Sequence, residues 1–271
     1  MPNDHYLKNH KPIVAACIPA LNEERTIADI VSKAKKFADI VIVVDDGSSD
    51  NTAIVAEKHG ALVIRHERTK GYGAALRSAL KKALELDVDI AVTLDADGQH
   101  DPAEIPKVIK PIIERKADMV IGSRFLSKKS IEEIPTGRKI GIHLINFIFK
   151  FWSRNFNISD SQSGFRAYSK KILPYIIPEI DGMGASLEIL LKACKRSVKI
   201  LEVPIFCKYF KTNMPIRSML AQGIDAISPL LYRDMNSNSN PLSKILFQVL
   251  KFVDSLIKNE RKINKDHRRF A

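Results

Sequence analysis

The stretch Ala91-Val92-Thr93-Leu94-Asp95-Ala96-Asp97-Gly98-Gln99-His100 decides how the rest of the chain is read. An apolar run that ends in two carboxylates one residue apart predicts a buried strand leaving the edge of a sheet, with Asp95 and Asp97 on one side of the chain. Two hard oxygen ligands then face one point. That suits a divalent cation such as Mg²⁺ or Mn²⁺, which takes a few carboxylates and completes its shell with water and substrate phosphates. Gln99, one alternation further on, is a candidate third oxygen. A strand followed by a plain acidic turn is the alternative, because Asp and Gly are common turn residues. The flanking sequence decides between the two.

Upstream, Lys70-Gly71-Tyr72-Gly73 opens a helix with Leu76, Ala79, Leu80 and Ala83 on one face, after a strand at Ala61 to His66. Before that, Asp39 to Val44 is a strand that runs into Asp45-Asp46-Gly47-Ser48-Ser49-Asp50-Asn51-Thr52 and a helix. Ile13 to Ile18 is the first strand, closed by Pro19 and followed by Asn22 as an N-cap with Glu23 and Glu24 in the first helical turn. Ile27, Ile30, Val31, Ala34 and Phe37 then recur at helical spacing. Downstream, Asp101-Pro102-Ala103-Glu104 starts a helix with a cap, a proline at the first helical position and a glutamate closing a capping box. Asp118 to Ser123 is a fifth strand. Near-continuous apolar strands alternating with amphipathic helices predict an α/β fold with a mainly parallel sheet covered on both faces. Ligands of such sheets sit beyond the carboxyl ends of the strands. Each polar cluster lies at such an end: Asn22-Glu23, Asp45-Asp46, Lys70-Gly71, Asp95-Asp97 and Arg124.

The chain has 271 residues, 45% of them hydrophobic, enough for one large domain with a full core plus an appendage. Its formal charge of +12 points to an anionic partner: nucleic acid, a phosphorylated small molecule or an acidic membrane face. Cys17, Cys194 and Cys207 are odd in number and lack C-x-x-C spacing, which argues against a disulfide framework and a zinc site and for reduced thiols in the cytoplasm. The first residues lack an apolar signal core, and no run reaches the length of a spanning helix. A soluble or peripheral protein is expected.

Three chemistries compete for the loaded rim. A dinucleotide fold needs G-x-G-x-x-G after the first strand, where this chain has Pro19-Ala20-Leu21-Asn22-Glu23. An aspartyl-nucleophile phosphatase carries its D-x-D-G element on the first strand, whereas here it follows the fourth. The third is carried by Ile18-Pro19-Ala20-Leu21-Asn22-Glu23-Glu24, Val43-Val44-Asp45-Asp46-Gly47-Ser48-Ser49-Asp50-Asn51-Thr52, Lys70-Gly71-Tyr72-Gly73-Ala74 and Leu94-Asp95-Ala96-Asp97-Gly98-Gln99-His100. In these motifs the chain resembles the family-2 glycosyltransferases. Gly122-Ser123-Arg124-Phe125, Asp160-Ser161-Gln162-Ser163-Gly164-Phe165-Arg166 and Leu201-Glu202-Val203-Pro204-Ile205 are similar to the dolichol-phosphate mannosyltransferase and polyprenyl-phosphate glucosyltransferase branch. The resemblance spans about residues 12 to 206 and implies a GT-A type nucleotide-binding fold.

By that resemblance, Pro19, Asn22, Glu23 and Asp46 hold the nucleoside, Asp95, Asp97 and Gln99 the metal, and Arg124 and Arg138 substrate phosphates. Lys70 with the Gly71 and Gly73 backbone is a candidate nucleotide contact, or simply a helix start. Asp45 reads equally as a turn acid. A cation bridging both phosphates of the leaving nucleoside diphosphate stabilises the charge that develops as the bond breaks. A hydroxyl acceptor needs a general base, but a lipid monophosphate with a second pKa near 6 is already ionised at neutral pH. Such an acceptor needs positive charge instead, for which Arg124, Arg138 and Arg166 are candidates; Arg166 reads equally as a structural ion pair. Glu188, at the margin of the apolar face of Leu187, Leu190, Leu191 and Cys194, is read as a structural carboxylate rather than a base. One departure stands out: the branch shows an Arg and then a Ser-Lys after the Glu-Val-Pro strand, and this chain has Ser218-Met219, with Lys208, Lys211 or Arg217 as possible substitutes.

Residues 139 to 156 suit either a helix at a membrane interface or a buried core helix. Leu242, Ile245, Leu246, Val249, Val253, Leu256 and Ile257 make one helical face near the C-terminus, and the tail from Lys258 adds six basic residues against two acidic ones. That segment can hold a protein at an anionic leaflet, or it is a solvated tail or partner-binding helix. The expected organisation is a catalytic domain over 1–235 and a basic amphipathic helical tail over 236–271. The expected activity is inverting, metal-dependent transfer of mannose or glucose from GDP-mannose or UDP-glucose to a polyprenyl or dolichyl phosphate, at the cytoplasmic membrane face and without nucleic acid. A hydroxyl-acceptor glycosyltransferase and a non-catalytic binding or scaffold protein are the alternatives.

Overall fold

Strand β1 (Val14–Ala20) is buried along its whole length, as an unbroken apolar run in the middle of a sheet must be. It belongs to a computed structural model that describes residues 11–152 and 158–209 and the single positions 227 and 248. On one side of β1 lie β2 (Ile40–Asp45) and β3 (Leu62–Arg65). On the other lie β4 (Ile90–Thr93), β6 (Arg166–Ser169), β5 (Met119–Ser123) and β7 (Ile200–Pro204), giving the order β3-β2-β1-β4-β6-β5-β7. All neighbours are parallel except β6, which runs antiparallel to β4 and β5. The expected mainly parallel sheet is therefore present. β6 is the strand that periodicity does not announce: four residues beginning with an arginine carry no apolar run.

Alternate strand residues divide the core in two. Ala15, Cys17, Ile42, Val44, Ala91 and Tyr168 pack with α3 (Tyr72–Glu85), α7 (Leu173–Ile176) and α8 (Ala185–Lys195). Val14, Ala16, Ile18, Val41, Val43 and Val92 pack on the opposite face with α1 (Ile27–Ala34), α2 (Thr52–Lys58) and α4 (Ile105–Ile113). The short α5 (Lys128–Glu133) and the longer α6 (Thr136–Trp152) follow β5. Along α6, Ile142, Ile145 and Phe149 are buried, whereas Ile140, Leu144 and Phe147 are exposed. The core reading of this helix thus holds for one of its faces, and the other face is exposed. No described helix is long and apolar enough to cross a membrane. All three cysteines are free, and burial pushes the thiols of Cys17 and Cys207 up to about 12 and about 11.

Several local expectations are corrected. Pro19 does not close β1 but sits inside it. The β1–β4 pairing ends at Cys17 and Thr93, so beyond that point the missing proline N–H costs no ladder bond. Asn22 is not a helix cap: it is left-handed (φ 57°), its N–H donates to Ser48 Oγ at 2.8 Å, and its Oδ1 accepts the Ser49 N–H at 2.9 Å. α1 starts only at Ile27, after a turn over 24–26 in which the Glu23 carbonyl accepts the Thr26 and Ile27 N–H groups, while the Glu23 and Glu24 N–H groups donate to Thr52 and Asp50. Asp101 caps a single 3-10 turn, Pro102–Glu104, and α4 begins after it. Finally, β4 stops at Thr93, so Asp95 and Asp97 do not share a side by strand alternation. They sit in a turn shaped by Gly98 (φ 78°) and by Asp97 Oδ1, which accepts the Gln99 N–H at 2.9 Å. The 236–271 tail, its Asn236–Asn240 hinge, Lys211 and Arg217 lie outside the described residues, position 248 aside.

Candidate active site

A cavity of about 330 Å³ opens beyond the carboxyl ends of β1, β2 and β4. Pro19, Glu23, Asp46, Asp95, Asp97, Gln99, Arg124 and Arg138 all line it, although more than a hundred residues separate the first from the last. Asn22 and Lys70 do not. Asn22 spends its side chain on Ser49, and Lys70 is exposed, contributing its backbone N–H to Asp46 Oδ1 at 3.0 Å.

Burial raises the pKa of Asp95, against the opposing pull of Arg124, Arg138 and Arg166. Burial raises that of Asp97 too, and the neighbouring Asp95 charge adds to it. Glu23 is raised by burial, with Asp97 and Asp95 contributing. Crowded carboxylates of this kind have an excess of negative charge that a cation relieves. With the Gln99 amide, the donor set is all hard oxygen, which fits Mg²⁺ or Mn²⁺. His100 is packed behind the pair with Nδ1 3.4 Å from Asp95 Oδ2. Burial, with the Arg124 charge beside it, pushes this imidazole down to about 4, so it is neutral at pH 7.

Arg124 follows β5 and is almost wholly buried. Asp160 holds it from three directions: Nε donates to Oδ2 and Nη2 to Oδ1, both at 2.7 Å, and the Arg124 backbone N–H donates to Oδ2 at 3.0 Å. Burial would raise the Asp160 pKa, but the Arg124 charge and these bonds outweigh it and hold the carboxyl below its ordinary range. Glu202 on β7 fixes the Asp160 loop, accepting the N–H groups of Ser159 and Asp160 at 2.8 and 3.0 Å. The Glu-Val-Pro strand thus reaches the site through Asp160. Asp46 is likewise engaged: its carboxylate takes the Lys70 N–H, the Gly71 N–H at 2.8 Å and His66 Nδ1 at 2.6 Å, which docks the β3–α3 loop on the cavity wall. Asp45 accepts the Ser48 N–H at 3.0 Å within its own turn and does not line the cavity.

The two glycines of Lys70-Gly71-Tyr72-Gly73 admit a protein loop. Gly73 donates to the Asp181 carbonyl at 2.6 Å, and a Cβ at Gly73 would run into the Ile180 carbonyl and the Ala185 methyl. A Cβ at Gly164 would meet the Asp95 carboxylate oxygens at 2.9 and 3.0 Å, so the glycine of Ser163-Gly164-Phe165 is what leaves room for the acid. Tyr72, Gln162 and Gly164 also line the cavity and stand in the quoted motifs without a role of their own in the sequence reading; Met183 and Ser186 line it too and give no local signal.

Arg166 and Glu188 are buried in the framework. Arg166 donates to the carbonyls of Ser186 and Ser161 at 2.8 and 2.7 Å. Glu188 accepts the N–H groups of Glu179 and Ile180 at 2.9 Å each and pairs with Lys192 at 3.1 Å. Burial would raise its pKa, but these donors outweigh it and hold the carboxyl below its ordinary range. Glu188→Gln is therefore expected to lower stability by about 1–3 kcal/mol in urea denaturation and to leave the pH–rate profile unchanged. A general base would instead show a loss of about 10²-fold or more in rate.

A mostly parallel sheet flanked by helices, with a D-x-D turn at its carboxyl-end cavity, matches the GT-A fold of glycosyltransferases. The chain belongs to one family within it: the model described as Glycosyl transferase family 2 matches residues 15–176. Among its relatives, a UDP-N-acetylglucosamine–dolichyl-phosphate N-acetylglucosaminyltransferase of Methanococcus voltae is 37% identical, over 74% of this chain and 88% of the relative. A dolichol-phosphate mannosyltransferase of Pyrococcus furiosus is 32% identical, over 70% of this chain and 55% of the relative. Among solved structures, glucosyl-3-phosphoglycerate synthase of Mycobacterium tuberculosis, in complex with Mn²⁺, UDP and phosphoglyceric acid, superimposes with a TM-score of 0.66 at 22% identity. It covers 82% of this chain and 78% of that one, and supports the fold.

Proposed function

We propose that this glycosyltransferase moves a sugar from a nucleotide donor to a polyprenyl or dolichyl phosphate, with inversion at the anomeric carbon. The observation that carries the reading is the state of the charged groups around the cavity. Arg124 and Arg138 face the Asp95–Asp97 pair, while Asp46 is occupied by three donors and Glu188 by the 179–180 loop. An acceptor that brings its own negative charge needs this arrangement, and one that must lose a proton does not. A divalent cation on Asp95, Asp97 and Gln99 would neutralise the departing nucleoside diphosphate. Pro19, Glu23 and Asp46 form the wall on the nucleoside side, and Arg124, fixed by Asp160, keeps a guanidinium toward the phosphates. The names of the relatives support a lipid-phosphate acceptor.

A lipid acceptor is met at a bilayer surface, and the exposed Ile140, Leu144 and Phe147 face of α6 is the proposed contact, on the cytoplasmic leaflet. Ile140→Glu combined with Leu144→Glu is expected to cut co-sedimentation with phosphatidylglycerol vesicles roughly tenfold. Unchanged binding would place the contact elsewhere.

The reaction is tested by incubating the purified full chain with a short polyprenyl phosphate and labelled UDP-N-acetylglucosamine, UDP-glucose or GDP-mannose, with and without chelator. Chelator-sensitive lipid-linked product from one donor is the expected result. No product from any donor, with membranes and Mg²⁺ or Mn²⁺ supplied, would refute the lipid-phosphate reading and turn the search to hydroxyl acceptors.

A further inference from the structure

Tyr209 lies in the segment after β7, where the sequence departs from its branch by lacking the Ser-Lys pair. Two cations of the cavity wall meet on it. Arg124 Nη1 donates to the phenol oxygen at 3.0 Å, and the Arg138 guanidinium carbon stands 5.3 Å from the centre of its ring. Asp160 neutralises Arg124, but two guanidinium groups on one wall still repel each other. An aromatic face attracts a cation, and a phenol oxygen accepts from one, so a single side chain orients both.

The segment that carries Tyr209 is itself held by the metal loop. Cys207 forms an antiparallel bridge with His100, Lys208 donates its N–H to the Gln99 carbonyl at 2.9 Å, and the Cys207 N–H donates to Ser130 Oγ at 3.2 Å. Ile205 and Cys207 are fully buried and anchor it. The backbone of the D-x-D loop and the two arginines are therefore spaced by one short strap. The distance between the negative and positive halves of the site is set where residues 207–209 cross it.

We infer that Tyr209 is a positioning residue for the phosphate-binding arginines: its hydroxyl directs Arg124 and its ring carries Arg138, so that both cations present to the same phosphate group. The inference rests on the proposed function only in taking a phosphate as the ligand of these arginines. A neutral aromatic here organises charge already present in the cavity and adds none of its own.

The test is a double-mutant cycle read by calorimetric binding of inorganic pyrophosphate in the presence of Mg²⁺. Tyr209→Leu is expected to weaken binding about 5- to 20-fold, and Tyr209→Phe, which keeps the ring, by a smaller factor. In an Arg138→Ala background, Tyr209→Leu is expected to cost much less than in the wild type, since the cation it carries is gone. A loss of equal size in both backgrounds would show that the ring does not act through Arg138 and would overturn the inference that one side chain orients both cations. No loss in Tyr209→Leu, or no pyrophosphate binding by the wild-type chain, would also overturn the inference. The transfer assay is separate: if wild type binds pyrophosphate and the cycle couples but no lipid-linked sugar forms, the acceptor reading fails and the role of Tyr209 stands.

Discussion

Asp97→Asn is expected to lower kcat for sugar transfer by on the order of 10²- to 10³-fold, the cost of removing one preorganised contact to developing charge. The substitution keeps the shape of the side chain, and the asparagine Oδ1 still accepts the Gln99 N–H that shapes the turn. Stability should respond in the opposite direction. Asp97 has a raised pKa in the folded chain, so its ionised form is disfavoured there. An acid of this kind costs the fold stability as pH rises through its folded pKa, and costs nothing below its unfolded value. At pH 7 in chelator, the asparagine variant should therefore melt no earlier than wild type. Added Mn²⁺ should raise the melting temperature of wild type and not that of the variant. Undiminished kcat in the variant, or equal stabilisation of both proteins by Mn²⁺, would show that Asp97 does not hold the cation.

Asp160→Asn is expected to destabilise the chain by about 3–5 kcal/mol at pH 7, because it strands the Arg124 guanidinium in a buried site without its counter-charge. The guanidinium cannot relieve this by losing its proton. The sign with pH is fixed by the direction of the shift. The folded pKa of Asp160 is depressed, so the stability it contributes is fully present above the unfolded carboxylate value near 3.9 and is lost as pH falls through the lower folded value. Urea denaturation at pH 7 should show the full difference between variant and wild type, and at about pH 3 a reduced one. Transfer should fall too, since Arg124 loses its orientation. A variant within 1 kcal/mol of wild type at pH 7 would show that the pair contributes little beyond what water and neighbours replace.

Much of the fold is legible in local pattern. Val14 to Ile18, Ile40 to Val44 and Ile90 to Val92 read as buried strands because both of their faces are covered, leaving no polar alternation to confuse the period. The helices between them announce themselves by spacing. β6 is not legible, since Arg166 and Tyr168 are buried by what surrounds them and not by their own character. The start of α1 is not legible for a related reason: Asn22-Glu23-Glu24 has the composition of a helix N-terminus, but its donors and acceptors are claimed by Ser48, Ser49, Asp50 and Thr52 from the next loop.

The candidate site divides along the same line. By itself the sequence determined that acids and arginines collect at the carboxyl ends of parallel strands, because each strand must end in a loop and those loops carry the polar residues of this chain. It also determined that Asp95 and Asp97 are the metal candidates, since their spacing is local. Only the tertiary structure decided that they converge through a turn and not a pleat, that Asp46 docks a loop, and that Glu188 anchors 179–180. It likewise decided that Asp160, Glu202 and Tyr209 set the direction of the arginines. The physical reason is that a charge or donor takes its role from the partner it meets. Those partners stand 8 to 85 residues away in the chain, where no local period can report them.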